Sequence, residues 1–249
     1  MIGSVERYSS SMRKKRFSLF GSLAFRIVFM ALLLYIVVAH FLVSTSRVES
    51  ISMSPTLEPA DRVVVSSLAY GPRVPLSKAR LPGLSKPARG DIVVIRPPYV
   101  QDTTFARRLF EPLAAFFTLQ KATLRRDLYG ERVNASMVKR VIGVPGDTIR
   151  LRSFSALIKA KGSKEFVPEA KLLPTALPAS QALAAKGWDS SLPFSGNSED
   201  IALGEDEYFV LGDNRTESSD SRSWGPIDGS RILAKVIFRY WPPRSIGKP

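Results

Sequence analysis

The sequence predicts a mostly β protein: an antiparallel β domain carrying a smaller inserted subdomain, preceded by one N-terminal transmembrane helix. Three observations lead there. A charge-free run from Ile27 to Val43, IVFMALLLYIVVAHFLV, follows a basic stretch near the start. Short Val- and Ile-rich runs then recur between clusters of Gly, Pro, Asn and Asp, the punctuation of strands and turns. One long stretch, Ser153 to Asp206, breaks that rhythm with a composition rich in Ala, Pro, Ser and Lys.

The N-terminal element divides into a basic tail, residues 1–16, and a signal-anchor, residues 17–45. A spanning helix needs about 20 mostly apolar residues, and an Arg near one end, as at Arg26, can snorkel to the interface. Arg13, Lys14, Lys15 and Arg16 precede the apolar run, which by the positive-inside rule leaves the N-terminus in the cytoplasm and all that follows Val43 outside. A cleavable signal peptide is the competing reading, but its apolar core is typically only about 7–15 residues. His40 reads as a helix-end or interfacial residue.

Six strands follow. They are read at Asp61–Ser66, Gly90–Arg96, Val138–Val144, Thr148–Leu151, Glu207–Leu211 and Ile232–Trp241, the third and fourth flanking a Pro-Gly-Asp turn. Their non-local pairing implies an antiparallel sheet rather than a parallel α/β one. The β-rich domain is therefore drawn from residues 46–152 and 207–249, with residues 153–206 as the inserted subdomain. Within the first part, residues 101–135 form an amphipathic insertion. Leu109, Phe110, Leu113, Phe116, Phe117 and Leu119 make a helical stripe flanked by Arg107, Arg108, Lys121, Arg125 and Arg126. Such a helix fits the bilayer interface or the surface of the β core equally well.

Composition narrows the chemistry. The 249 residues contain no cysteine and one histidine, which removes disulfides and thiolate nucleophiles and makes a zinc site improbable. Because that histidine lies in the apolar run, a Ser-His-Asp triad outside the membrane is impossible. A net charge of +14 accompanies no recognition helix or aromatic-basic nucleic-acid module, so no nucleic-acid partner is expected. Anionic lipid is the better partner for that charge, at about 1 kcal/mol per juxtamembrane Lys or Arg.

A hydrolase built from this chain on a serine nucleophile needs a lysine as its base. Lysine serves only when neutral, against a reference pKa of about 10.4, and burial is what lowers it. Lys139 fits: on an extended strand it shares an apolar face with Met137 and Val141, while Arg140 points to the opposite side and stays charged. The candidate serines lie in Ser50-Ile51-Ser52-Met53-Ser54-Pro55-Thr56-Leu57, just beyond the apolar run. Alone, the first is an ordinary strand lysine and the second a surface turn. A third segment, Gly212 to Gly225, mixes acids, arginines and serines directly after a hydrophobic strand.

Together these segments resemble the type I signal peptidases, membrane-anchored Ser-Lys proteases. The matching pieces run in order: anchor, S-x-S-M-x-P-T-L at Ser50 to Leu57, the strand with Asp61, R-G-D-I-V-V at Arg89 to Val94, K-R-V-x-G-x-P-G-D at Lys139 to Asp147, and G-D-N-R-x-x-S-x-D-S-R-x-W-G at Gly212 to Gly225. The resemblance implies a catalytic β domain with Ser52 as nucleophile and Lys139 as general base. It implies an oxyanion hole from the Ser50 hydroxyl and the Ser52 backbone N–H, and Ser218 orienting the base. It further implies structural ion pairs among Arg140, Asp213, Asp220 and Arg222, and shallow pockets shaped by Met53, Leu57, Met137 and Val138. The expected activity is removal of signal peptides from exported preproteins, cutting after small residues at the −1 and −3 positions. The catalytic domain would face the outer side of the cytoplasmic membrane, near the export translocon, without metal or organic cofactor. Three features depart from the family pattern: Ala60-Asp61 in place of a commoner Gly-Asp, a bulky Ile51 between the two serines, and extra chain between Arg96 and Met137. A self-cleaving repressor-type regulator shares the dyad but not the anchor. An inactive membrane-tethered binder has no need of Ser52, Lys139 and Ser218 together.

Overall fold

The computed structural model describes residues 23, 25–34, 43–72, 79–100, 136–152, 155–173 and 197–249. The basic tail, most of the anchor and the amphipathic insertion at 101–135, including its helical stripe, lie outside the described residues. Residues 23 and 25–34 of the expected anchor are helical and expose Phe25, Ile27, Val28, Phe29, Met30, Leu33 and Leu34. Among the described residues no helix is long and apolar enough to cross a membrane.

The rest is antiparallel β structure. In chain order the strands are β1 (Val43–Arg47), β2 (Arg62–Ser66), β3 (Ile92–Ile95), β4 (Met137–Gly143), β5 (Thr148–Arg152), β6 (Ser155–Lys159), β7 (Val167–Pro168), β8 (Ile201–Ala202), β9 (Glu207–Leu211), β10 (Ile227–Asp228) and β11 (Ile232–Trp241). They form a seven-stranded sheet in the order β1-β2-β11-β3-β4-β9-β10 and a four-stranded sheet in the order β7-β6-β5-β8. All six strands read from the sequence are present. The inserted stretch, residues 153–206, carries β6, β7 and β8, and these pair with or beside β5 to make the second sheet. Strand β1 takes in Val43, Ser44 and Thr45, residues that the sequence reading gave to the end of the anchor.

The core explains why the central strands are apolar throughout. In β3, Ile92 and Val94 pack with Met53, Leu57, Val63 and Val65 on one face. Val93 and Ile95 pack with Val141, Tyr208, Val210 and Ile227 on the other. A strand buried on both faces loses the polar half of its alternation. Strand β11 changes face along its length: Ile232 belongs to one cluster, Ala234 and Val236 to the other. The register shift between Ile232 and Ala234 against β3 accounts for this, since a bulge inserts the residue that breaks the two-residue period. Strand β9 joins the two sheets. Its Tyr208 and Val210 face the main core, while Phe209 and Leu211 pack with Ile149, Leu151, Ala156 and Ile158 of the small sheet.

Partly buried ion pairs lock the turns. Asp147 accepts from the Val144 N–H at 2.9 Å and from Arg89 Nη2 at 2.6 Å, while Arg89 Nε donates to the Ile142 carbonyl at 3.1 Å. The R-G-D and P-G-D motifs thus meet across β3 and β4. Asp91 accepts from Tyr70 Oη at 2.7 Å and pairs with Lys235 of β11 at 2.6 Å. Asp61 pairs with Arg239 at 3.0 Å. Ala60, just before it, sits at φ +74, the left-handed region where glycine carries no steric cost. The family's commoner glycine at that position has its physical reason there.

Candidate active site

Ser52 lies in a single 3-10 turn, Ile51–Met53, that turns the chain between β1 and β2. The turn is pinned at Met53, which is buried in the core with 1 % exposed. Two residues earlier Ser50 is extended, and its Oγ lies 3.0 Å from Ser52 Oγ.

Lys139 enters from the middle of β4, opposite Val93 of β3. Its Nζ donates to Ser52 Oγ at 2.8 Å and to Ser218 Oγ at 3.1 Å. The side chain is 2 % exposed, and that burial pushes its pKa down to about 8, because an ammonium out of water is costly. Asp220 works against the shift, Arg222 adds to it and Asp213 again opposes it. Burial wins. A lysine in this state keeps a usable neutral fraction near pH 7, and its lone pair is within reach of a hydroxyl proton.

The loop after β9 brings the third serine. It is anchored from several sides. Asp213 takes a two-pronged contact from Arg140, Nε to Oδ1 at 2.8 Å and Nη2 to Oδ2 at 2.7 Å, with only 3 % and 1 % of the two side chains exposed. Arg140 also donates to the Gly90 carbonyl at 3.0 Å, so β4, the β3 approach and the loop share one guanidinium. Asp220 is fully buried, accepts from the Gly212 N–H at 3.0 Å and holds Arg222 in a second two-pronged pair at 2.8 and 2.9 Å. That pair lies within the loop, whereas the Arg140–Asp213 pair ties the loop to the strand. The Asn214 N–H donates to the Ser52 carbonyl at 3.1 Å, which fastens the loop to the serine turn directly.

The structure therefore brings Ser50, Ser52, Lys139 and Ser218 together in one hydrogen-bonded cluster, with Arg140, Asp213, Asp220 and Arg222 behind it. The four expected pocket residues divide. Met137 and Val138 are half-buried and precede Lys139 on β4, while Met53 and Leu57 expose 1 % and 0 % and lie in the core beneath the serine turn. The last two offer no surface in this structure.

One contributor has no signal in charge or nucleophilicity. A Cβ on Gly212 would stand 2.5 Å from the Ser52 carbonyl oxygen and 2.6 Å from Ser218 Cβ, and closer still to Ser218 Oγ. Only glycine lets the loop approach the cluster so closely.

The residues from 22 to 241 match the model of a protein family described as signal peptidase, peptidase S26. The chain is similar to signal peptidase I of Leptolyngbya laminosa, 26 % identical over 212 residues that span 84 % of this chain and 73 % of that one. It is also similar to signal peptidase IB of Staphylococcus aureus, 28 % identical over 214 residues, 85 % of each chain. A crystal structure of a signal peptidase I from Enterococcus faecalis aligns with 61 % of this chain and 97 % of its own, at 20 % identity and a TM-score of 0.33. With a family match running nearly end to end, the chain belongs to the signal peptidase family, peptidase S26, and is a serine endopeptidase of the type I signal peptidases.

Proposed function

We propose that the chain removes signal peptides from exported preproteins through a Ser52–Lys139 dyad, and the observation that carries this is the 2.8 Å contact of a buried Lys139 amine with Ser52 Oγ. Neutral Lys139 takes the hydroxyl proton as Ser52 Oγ attacks the scissile carbonyl carbon. The carbonyl oxygen becomes an oxyanion, met by the Ser52 N–H and the Ser50 hydroxyl; one such donor is worth roughly 3–4 kcal/mol of barrier. Lys139 then returns its proton to the departing amine, which is the new N-terminus of the mature protein. The ester left on Ser52 is hydrolysed when Lys139 takes a proton from an incoming water, and the signal peptide leaves with a new carboxylate. Ser218, 3.1 Å from Nζ, fixes the direction of the amine's lone pair.

Cleavage follows small residues at −1 and −3. Met137 and Val138, which precede the base on β4, supply the apolar lining, and Met53 and Leu57 lie in the core cluster against which Val138 packs. Size discrimination alone yields only about 1–3 kcal/mol per methylene, so presentation matters as well. The segment that precedes β1 anchors the chain in the cytoplasmic membrane with the N-terminus inside and the catalytic domain on the outer side. The helical residues 25–34 support this with apolar side chains exposed around the helix, a pattern suited to lipid. The serine turn begins close after that segment and meets preproteins held by their own apolar signal, beside anionic lipid and near the translocon.

The test is cleavage of a purified preprotein by the full chain in detergent micelles. Wild type is expected to release the mature protein, and Ser52→Ala and Lys139→Ala to lose that release. Unchanged cleavage by both variants would place the chemistry elsewhere.

A further inference from the structure

Glu169 belongs to none of the family motifs. It opens a helical turn, Glu169–Leu172, directly after β7 of the small sheet, and it is buried. Its carboxylate joins the two sheets. Oε1 accepts from the Ala156 N–H of β6 at 3.2 Å and from Arg215 Nη1 at 2.5 Å, and Oε2 accepts from Arg215 Nη2 at 2.8 Å. The third donor of that guanidinium, Nε, reaches the Gly212 carbonyl at 2.9 Å. The Arg215 carbonyl in turn accepts from Arg222 Nη1 at 2.6 Å, and Arg222 is held by Asp220.

We infer that Glu169 is a positioning residue for the Ser52–Lys139 pair, acting through Arg215 to hold the Gly212–Ser218 segment against it. The inference rests on the dyad reading above. Gly212 is the tightest point of the loop's approach, and Asn214 and Ser218 touch Ser52 and Lys139 on either side of Arg215. A planar guanidinium bound on two edges fixes both distance and angle, which a single contact cannot do. Only 5 % of the Arg215 side chain and 9 % of the Glu169 side chain are exposed, so water does not substitute for either partner. The exposed Arg150–Asp200 pair of the same sheet, at 33 % and 41 %, has no such reach and serves as the internal contrast. The small sheet is thereby part of the catalytic geometry rather than an appendage.

Full-length wild type, Glu169→Gln, Arg215→Lys, Asp200→Asn and Ser52→Ala are compared for kcat, KM and pH profile on one preprotein, with folding checked by circular dichroism. Glu169→Gln is expected to lower kcat about 10- to 100-fold, the scale of a small misplacement, with KM held within about twofold. Its acid limb is expected to move to higher pH, because water admitted beside Lys139 relieves the burial, with Asp220, Arg222 and Asp213 still facing the amine. Asp200→Asn is expected to match wild type. Arg215→Lys preserves a charge for Glu169 but has no Nε for Gly212; if Glu169→Gln does not fold, a folded Arg215→Lys with wild-type kcat overturns the inference. A folded Glu169→Gln with wild-type kcat and pH profile overturns it too, while lost cleavage in Ser52→Ala leaves the dyad standing. Retained cleavage in Ser52→Ala overturns both.

Discussion

Replacing Lys139 with Met is expected to make the protein inactive and more stable. The buried amine has a pKa of about 8 against an ordinary value of 10.5. The folded state therefore binds this proton less tightly than the unfolded state does. Below pH 8 the group is charged in both states, and the full penalty of about 3 kcal/mol opposes folding. As pH rises from 8 toward 10.5 the folded amine is neutral while the unfolded one still holds its proton, so the unfolded state loses its advantage and wild type gains stability. Met nearly matches the lysine stem in volume and needs no hydrogen-bond partner. Losing the bonds to Ser52 and Ser218 removes roughly 0.5–1.5 kcal/mol each, which leaves the variant ahead by about 1 kcal/mol at pH 7. Urea unfolding of both proteins in the same detergent, followed by tryptophan fluorescence, measures the difference. Its pH dependence is the sharper readout, because the lost hydrogen bonds shift the curve without bending it. Between pH 7 and pH 9 the lead of Lys139→Met should shrink by about 1 kcal/mol. A stability difference that stays constant from pH 6 to pH 10 would refute the burial argument.

Gly212→Ala should cut kcat/KM by about 100-fold, since the new Cβ collides with the Ser52 carbonyl and turns Ser218 away from Lys139. Steady-state kinetics on a peptide substrate checks this, and wild-type kinetics would show that the close approach is unnecessary. Asp213→Ala leaves the Arg140 guanidinium buried without its carboxylate and should cost about 3–5 kcal/mol in urea unfolding. A loss under about 1 kcal/mol would mean that water replaces the partner. Ala60→Gly relieves a left-handed backbone at φ +74 and should stabilise by roughly 0.5–1 kcal/mol, the steric gain outweighing the added freedom of the unfolded chain. A lower urea midpoint in that variant would contradict it.

What could be read beforehand was what leaves a periodic or elemental trace. The central strands announce themselves because burial on both faces demands Val and Ile at nearly every position, as in Ile92–Ile95. The absence of cysteine and a lone histidine at position 40 point to a lysine base, and Lys139 stands out among the lysines because it shares an apolar strand face with Met137 and Val141. Edge elements left no such trace. Strand β1 reads V-S-T-S-R and, among the described residues, pairs on one side only, with β2, so nothing there forces apolar alternation on it. Strands β7 and β8 are two residues long, too short for any period to show. Met53 and Leu57 looked like pocket residues from their place in the serine motif, but the turn at Ile51–Met53 aims them into the core. Glu169 leaves no trace for a different reason, and Gly212, although it opens a matched motif, does not disclose its steric role. One acts through a partner 46 positions away, and the other through the absence of a side chain.

The pH dependence of kcat/KM on a short peptide with no titrating group near its scissile bond tests the neutral Lys139 amine most directly. With a pKa of about 8, roughly a tenth of the enzyme is competent at pH 7 and a hundredth at pH 6. The rate should therefore fall about tenfold per pH unit on the acid side and level off above pH 8. A rate that holds constant from about pH 5 to about pH 9 would contradict a lysine base.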